Sequence, residues 1–330
     1  MGFGVNLDFD ALVNTIQNFE GVLRKNSIVK ITNSLKEVYN INEKTLIGFG
    51  DDSSAIDVND DKAILLAADG IWGKLIDIDP YWAGYCSILV NVNDIVAMGG
   101  EPIAMVNILS VKDKNVGDEI IKGVIDGCHK FNVPMVGGHF HPDAEYNVLD
   151  VSIVGIVDKK HIITSFDAKV NDKVIVAIDL DGRPYPKSPL NWDTTLNKDD
   201  AIVQGQLKVM KTIAELDLVS AGKDISNPGI LGTLEMLLES SNCGARVHLE
   251  KIPKNDNVSW EDWLRVYPGS GFVLTAPEEN TDKIIGLLNE FSLVSHVVGD
   301  VISDKKLYLN YNGEEKVVFN QEKNPVLNLK

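Results

Sequence analysis

Apolar positions along the first forty residues recur at helical spacing. Leu12, Ile16 and Phe19 form one set, and Ile28, Ile31, Leu35 and Val38 form another. Asn26 and Ser27 between them could cap the second helix, so helical structure is predicted over residues 9–39. The pattern then changes. A turn-rich segment, GFGDDSSAIDVNDD at 48–61, leads into an apolar run over 63–72 that reads as a buried strand ending in an acidic loop. Pro80 stands where a helix can start, and Tyr85, Cys86, Leu89, Val92 and Val96 share one face of residues 81–98. Next come a strand over 103–111 and an amphipathic helix over 117–131 through Ile120, Val124 and Cys128. A strand over 133–139 runs into a glycine loop, and another strand spans 148–157.

A polar turn from Ser165 to Lys169 separates this block from a new apolar strand, Val170–Leu180, and the expected domain boundary lies there, giving 1–164 and 165–330. A Pro-rich loop at 181–192 follows, either ordered by its aromatics or a mobile lid. Helices are predicted at 198–216, 229–240 and 279–290, and strands at 245–250 and 271–277. The tail, 306–319, reads as a hairpin turning at Asn312-Gly313. Strands and helices alternate in both halves, which predicts α/β and α+β structure.

The chain has 330 residues, and at about 100–200 residues per domain that length suggests two. An apolar fraction of 44% is that of an ordinary soluble globular protein. The formal charge of −17 argues against nucleic-acid binding, whose affinity rests on Lys and Arg against phosphate, and against an anionic membrane surface. A nucleotide ligand would need a divalent cation to neutralise the acid on both sides. Cys86, Cys128 and Cys243 are far apart and form no C-x-x-C pair, so a reducing, cytoplasmic compartment is expected. No signal peptide is visible in residues 1–20, and no apolar run approaches the ~18 residues that span a bilayer.

Four segments place Asp beside Gly or inside apolar sequence. Gly48-Phe49-Gly50-Asp51-Asp52 suits a phosphate-approaching loop with paired carboxylates for Mg²⁺, and is equally an acidic turn. Asp69-Gly70 ends an apolar strand, where loops grip ligands or merely turn. Asn93 and Asp94 interrupt an apolar helix, where a buried carboxylate is unfavourable unless paired or metal-bound; the alternative is a solvent-facing Asp. Asp224 and Ser226 precede a predicted helix, as an N-cap or as part of an anion or metal site. Val136-Gly137-Gly138-His139 adds a strand feeding a glycine loop; His139 and His141 have no third ligand in sequence, so a hydrogen-bonding role is preferred to zinc. No Walker A motif, nucleophile elbow or G-x-G-x-x-G is present.

Taken in order, G-D-D, strand-Asp, N-D-x-x-A-M-G-G-x-P (Asn93 to Pro102), G-G-H and D-x-S-x-x-G-x-L-G resemble the AIR synthase superfamily over residues 45 to 300. That group includes aminoimidazole ribonucleotide synthase, thiamine-monophosphate kinase, selenophosphate synthetase and a hydrogenase maturation factor. The resemblance implies an N-terminal α/β domain that pairs in a homodimer to form a shared barrel, covered by a C-terminal α+β domain. It implies ATP in the cleft, held through Mg²⁺ by Asp51, Asp52, Asp69, Asp94 and Asp224, with Gly48, Gly50, Asn93, Gly137, Gly138 and His139 near the nucleotide. It further implies phosphoryl transfer, which needs positioning and charge neutralisation more than covalent chemistry. The catalytic residue is not identified.

The departures narrow the group. Residues 1–44 hold no Cys and only Gly2, Gly4 and Gly21, unlike the reactive glycine-rich segment of selenophosphate synthetase. His139 replaces the Asp of thiamine-monophosphate kinase, and Ser226-Asn227-Pro228-Gly229 replaces its S-D-G. The chain ends Asn-Leu-Lys, without the terminal Cys of the hydrogenase factor. The resemblance is therefore to selenophosphate-synthetase-related proteins such as methanogenesis marker protein 2. The expected function is ATP-driven phosphoryl transfer to, or activation of, a small molecule. The alternatives are an ATP-binding maturation or regulatory protein acting on a protein partner, or thiamine-monophosphate kinase or selenophosphate synthetase proper.

Overall fold

A computed structural model describes residues 7–267 and 269–328. Gly2, Gly4 and the last two residues lie outside them. The chain opens with three short helices, α1 (Phe9–Gln17), α2 (Glu20–Leu23) and α3 (Ile28–Leu35), with a 3-10 turn at Arg24–Ser27. The Asp8 side chain caps α1 by accepting from the Ala11 N–H at 3.0 Å. Helix fills the predicted stretch only as far as Leu35, is broken where Asn18 and Phe19 leave helical geometry, and gains no side-chain cap from Ser27 at α3.

The first half then builds β1 (Thr45–Ile47), β2 (Ser54–Asp57), β3 (Lys62–Gly70), α4 (Gly73–Ile78), α5 (Pro80–Ala97), β4 (Glu101–Ser110), α6 (Lys114–Phe131), β5 (Met135–His141) and β6 (Val148–Asp158). The six strands make one sheet in the order β1-β2-β3-β6-β4-β5. β6 alternates strictly between buried and partly exposed positions, so the sheet has one covered face. α5 and α6 cover it. Pro80 and the Asp79 side chain, which accepts from the Trp82 N–H at 3.1 Å, start α5. α5 is apolar nearly all round because it lies between this sheet and the second half. The two helices meet closely at Gly123, where a Cβ would stand 2.0 Å from the Tyr81 carbonyl oxygen.

The second half comprises β7 (Lys173–Ile178), β8 (Arg183–Tyr185), β9 (Ser188–Asp193), α7 (Asp200–Glu215), β10 (Ala221–Asp224), α8 (Gly229–Ser240), β11 (Gly244–His248), α9 (Trp260–Trp263), β12 (Gly271–Ala276), α10 (Thr281–Glu290), β13 (Val294–Ile302), β14 (Lys306–Tyr311) and β15 (Glu314–Asn320). Seven strands form a sheet in the order β10-β12-β7-β13-β11-β14-β15. Both faces of β7 are buried: Ile175 and Ala177 join the core that holds α5 and α6, while Val174, Val176 and Ile178 join a second core with α8. Leu12 and Ile16 of α1 belong to that second core, so the beginning of the chain packs on its later half.

The Pro-rich loop is ordered by its aromatics. It forms the β8–β9 hairpin, with the Tyr185 ring stacked on Trp82 at 4.2 Å. The Trp82 indole N–H donates to Asn191 Oδ1 at 2.9 Å, and the Tyr185 hydroxyl donates to Asp79 at 2.9 Å. Six further elements lie outside the sequence expectation: β1, β2 within the turn-rich segment, α4, the short β10, α9 and the nine-residue β13. No helix among the described residues is long and apolar enough to cross a membrane.

The close approach at Gly123 predicts that Gly123→Val lowers the unfolding free energy by about 1–3 kcal/mol or more through overpacking. Gly286, in α10, has open space where a Cβ would go. Gly286→Ala is expected to stabilise by up to about 1 kcal/mol. Urea midpoints of the two variants check both signs.

Candidate functional site

Three carboxylates from separate elements converge. One oxygen each of Asp52, Asp94 and Asp224 lies within 4.8 Å of the others. Asp52 follows β1 in a loop that Gly50 makes possible, at φ +112°. Asp94 projects from the last turns of α5. Asp224 ends β10, whose register against β12 pairs it with Phe272. It is not a helix cap: α8 starts after Pro228, without a side-chain cap. The first half therefore supplies two members of the group and the second half one.

The other expected acids stand around this centre in different roles. Asp51 accepts from the backbone N–H of Ser165 at 2.9 Å and of Asp52 at 2.9 Å, which fixes the loop against the junction of the two halves. Asp69 lies outside the group of three, at the exposed end of β3, and its charge acts on Asp94. Asn93, 2% exposed, points away from the carboxylates and donates to the Gly269 carbonyl at 3.1 Å.

Two lysines that the sequence reading passed over enter the same space. The ammonium of Lys223 pairs with Asp52; the side chains are 6% and 5% exposed. Burial works to lower the Lys223 pKa, but Asp52 and Asp51 more than offset it, so the ammonium is retained. Lys25 reaches in from the N-terminal segment, within the fields of Asp69, Asp94 and Asp224. Lys223 directly precedes Asp224 in the sequence, but no local pattern marks it as part of the site.

Burial dominates the acids. It pushes the Asp51 carboxyl up to about 6, with the neighbouring Asp52 charge adding to it against Lys223. It pushes Asp224 up to about 8, helped by Asp52. Asp94 rises well above the ordinary carboxylate value, again by burial first and then by Asp69 and Asp224. Asp52 Oδ2 is buried and has no hydrogen-bond partner. An all-oxygen donor set with an orphaned buried carboxylate oxygen fits a hard divalent cation such as Mg²⁺.

Gly137, Gly138 and His139 lie within β5, where a glycine loop was expected, and do not join this group. Gly138 pairs with Asn107, Asn107 with Val151, and Val151 with Asp69. Three strand spacings, about 14 Å, therefore separate Gly138 from Asp69 along one end of the sheet. Gly138 packs so tightly on Asn107 that a Cβ would stand 2.0 Å from its Oδ1. Gly137 has room to spare, and Gly48 lies against the Tyr39 ring. The rings of His139 and His141 meet edge to face at 4.5 Å. Beside β5 is a cavity of about 660 Å³ lined by Asn107, Lys114, His139 and Phe140 among others.

Comparison with known proteins identifies both halves of the chain. The AIR synthase related protein N-terminal domain matches residues 50–157, and the C-terminal domain matches residues 169–312. An uncharacterized protein of Methanocaldococcus jannaschii, MJ0640, is 50% identical over 322 residues, covering 96% of this chain and 98% of its own length. Thermotoga maritima PurL complexed with ATP has the same fold at a TM-score of 0.70 and 20% identity, over 84% of this chain and 47% of its own. This chain thus spans about half the length of that protein. AaThiL complexed with AMPPCP and TMP matches at a TM-score of 0.64 and 18% identity, over 86% of this chain and 96% of its own. With both domains matched over most of its length, the chain belongs to the AIR synthase related protein family.

Proposed function

We propose that this chain binds Mg–ATP at the Asp52–Asp94–Asp224 centre and uses it to phosphorylate, or otherwise activate, a small-molecule acceptor. The observation that carries this reading is the convergence of three carboxylates from both halves, one with an orphaned buried oxygen. Asp52, Asp94 and Asp224 would hold the metal, with Asp69 at the rim. A divalent cation there supplies charge neutralisation to carboxylates and phosphate oxygens together. Asp51 keeps the loop of Asp52 in place through Ser165, and Lys223 pairs with Asp52. The ATP and AMPPCP carried by structures of this fold support the choice of nucleotide.

In this reading Gly137, Gly138 and His139, with the cavity beside β5, belong to the nucleoside end of the ligand. Gly48 and Gly50 shape the loop at its phosphate end, and Asn93 orients the helix turn that carries Asp94. The exposed face of the six-stranded sheet supports a homodimer. Leu66, Val106 and Ile108 lie on it in the open, opposite the covered face. Three free cysteines suit a reducing, cytoplasmic setting.

Asp94→Asn is expected to weaken Mg–ATP binding by about tenfold or more. Isothermal titration that finds the affinity unchanged overturns the assignment. The raised carboxyls also set a pH dependence. Asp51 and Asp224 have folded pKa values, about 6 and about 8, above their unfolded ones. Their contribution to the metal-free protein is therefore full in acid and is lost as pH rises from about 4 to about 8. Mg²⁺ competes with those protons, so it should raise Tm more near about pH 8 than near about pH 5. A larger metal-induced shift in acid is the contrary result. For the dimer, Val106→Glu puts a charge in the centre of the exposed apolar face, and light scattering should report a monomer.

A further inference from the structure

Lys223 lies in β10, whose 4 residues are all buried, and its register against β12 pairs it with Val273. An apolar side chain would fill such a place without desolvating a charge. The lysine nevertheless reaches Asp52 of the first half, and the two side chains are 6% and 5% exposed. Contact fixes where the ammonium is: it donates to Asp52 Oδ1. One oxygen of the same carboxylate lies within 4.8 Å of an oxygen of Asp94 and of Asp224. The ammonium therefore stands beside any cation that the three acids hold together.

The pair is incomplete on both sides. An ammonium has three N–H donors. Among the described residues this one has a single hydrogen-bond partner, Asp52 Oδ1. Asp51 and Asp224 attract it as well, yet it donates to neither. A lysine serving only as a counter-ion would place its remaining donors on those acids. Asp52 is divided in a matching way. Its Oδ1 takes the ammonium, while its Oδ2 is buried and has no hydrogen-bond partner. One oxygen is thus turned to a cation of the chain itself, and the other is left for a cation from outside. The spare N–H groups call for acceptors that the protein does not supply.

We propose that Lys223 makes this centre take its divalent cation together with a nucleotide: the ammonium keeps one N–H on Asp52 Oδ1 and donates another to a non-bridging phosphate oxygen. This rests on the reading above that the carboxylates take Mg–ATP. The lysine acts with opposite signs on the two ligands. It repels a cation brought to Asp52 without phosphate, so the metal alone is disfavoured. Phosphate oxygens accept from its spare donors, so the metal with its nucleotide is favoured. A structural counter-ion has no such split. It holds Asp52 in place for both ligands alike.

The test is calorimetric titration of Mg²⁺ alone, and separately of Mg–ATP, into wild type, Lys223→Met and Lys223→Arg, with ligand-free melting of each to confirm folding. Lys223→Met should bind Mg²⁺ alone about tenfold more tightly and Mg–ATP about tenfold more weakly. Lys223→Arg keeps the charge, so it should keep the weak binding of Mg²⁺ alone and part of the affinity for Mg–ATP. Loss of both ligands in Lys223→Met overturns the proposal, since Lys223 then only holds Asp52. Wild-type affinity for Mg–ATP in that variant overturns it too, whatever Mg²⁺ alone does, and leaves the carboxylate assignment standing. Should Lys223→Met fail to fold because Asp52 is left unpaired, Asp52→Asn with and without Lys223→Met decides. A further loss of Mg–ATP affinity, about tenfold, is expected in the double variant. No further loss there means that Lys223 acts through Asp52 alone, and the proposal falls. Failure of the wild type to bind Mg–ATP overturns the function reading and this inference together.

Discussion

Carboxylates from both halves of the chain share one desolvated space, and like charges do not stay together there without positive charge among them. Lys223 meets that constraint. It stands next to Asp224 on β10, so the second half brings an acid and a counter-ion into the site on one short strand, and the counter-ion pairs with Asp52 of the first half. The junction of the halves is thereby electrostatic as well as apolar. Removing Lys223 would leave Asp52 without its ion-pair partner, whereas removing Asp52 would leave the ammonium the weaker attraction of Asp51 and Asp224. Much of the architecture serves this arrangement: α5 is buried all round to present Asp94, and Ser165 at the junction holds Asp51 so that Asp52 faces inward.

The acids were legible in the sequence because each breaks a local rule. Asp94 interrupts an apolar helix, Asp51 and Asp52 follow Gly50, and Asp224 stands shortly before a predicted helix. The lysines were not legible. Lys is ordinarily solvated, and nothing local separates Lys25 from the other lysines of the N-terminal segment. The segment that carries it packs on the later half where Gly21 meets Asn227, a contact across most of the chain that no periodicity reports.

The fold shows the same division. Long elements with one clear period, such as α5, α6 and β6, follow from their patterns. β13 does not, because His296, Gly299 and Asp300 interrupt its apolar run. The β8–β9 hairpin contains Pro184 and Pro189, which read as loop, yet a separate two-stranded ribbon tolerates proline and the stacked rings supply its order. The formal charge of −17 argues against nucleic acid and an anionic membrane surface. The clustered part of that acid is what makes a metal-bridged nucleotide the better reading, while the dispersed remainder bears on solubility alone.

Trp82 has a consequence for how separable the two halves are. Its ring is fully buried, but Tyr185 covers one face and Asn191 satisfies its N–H, both from the later half. The helices at the start of the chain lean on the later half as well. A fragment ending near residue 164 would carry a bare indole and three helices with no surface to rest on. The two family domains are units of ancestry; as units of folding, they are halves of one body.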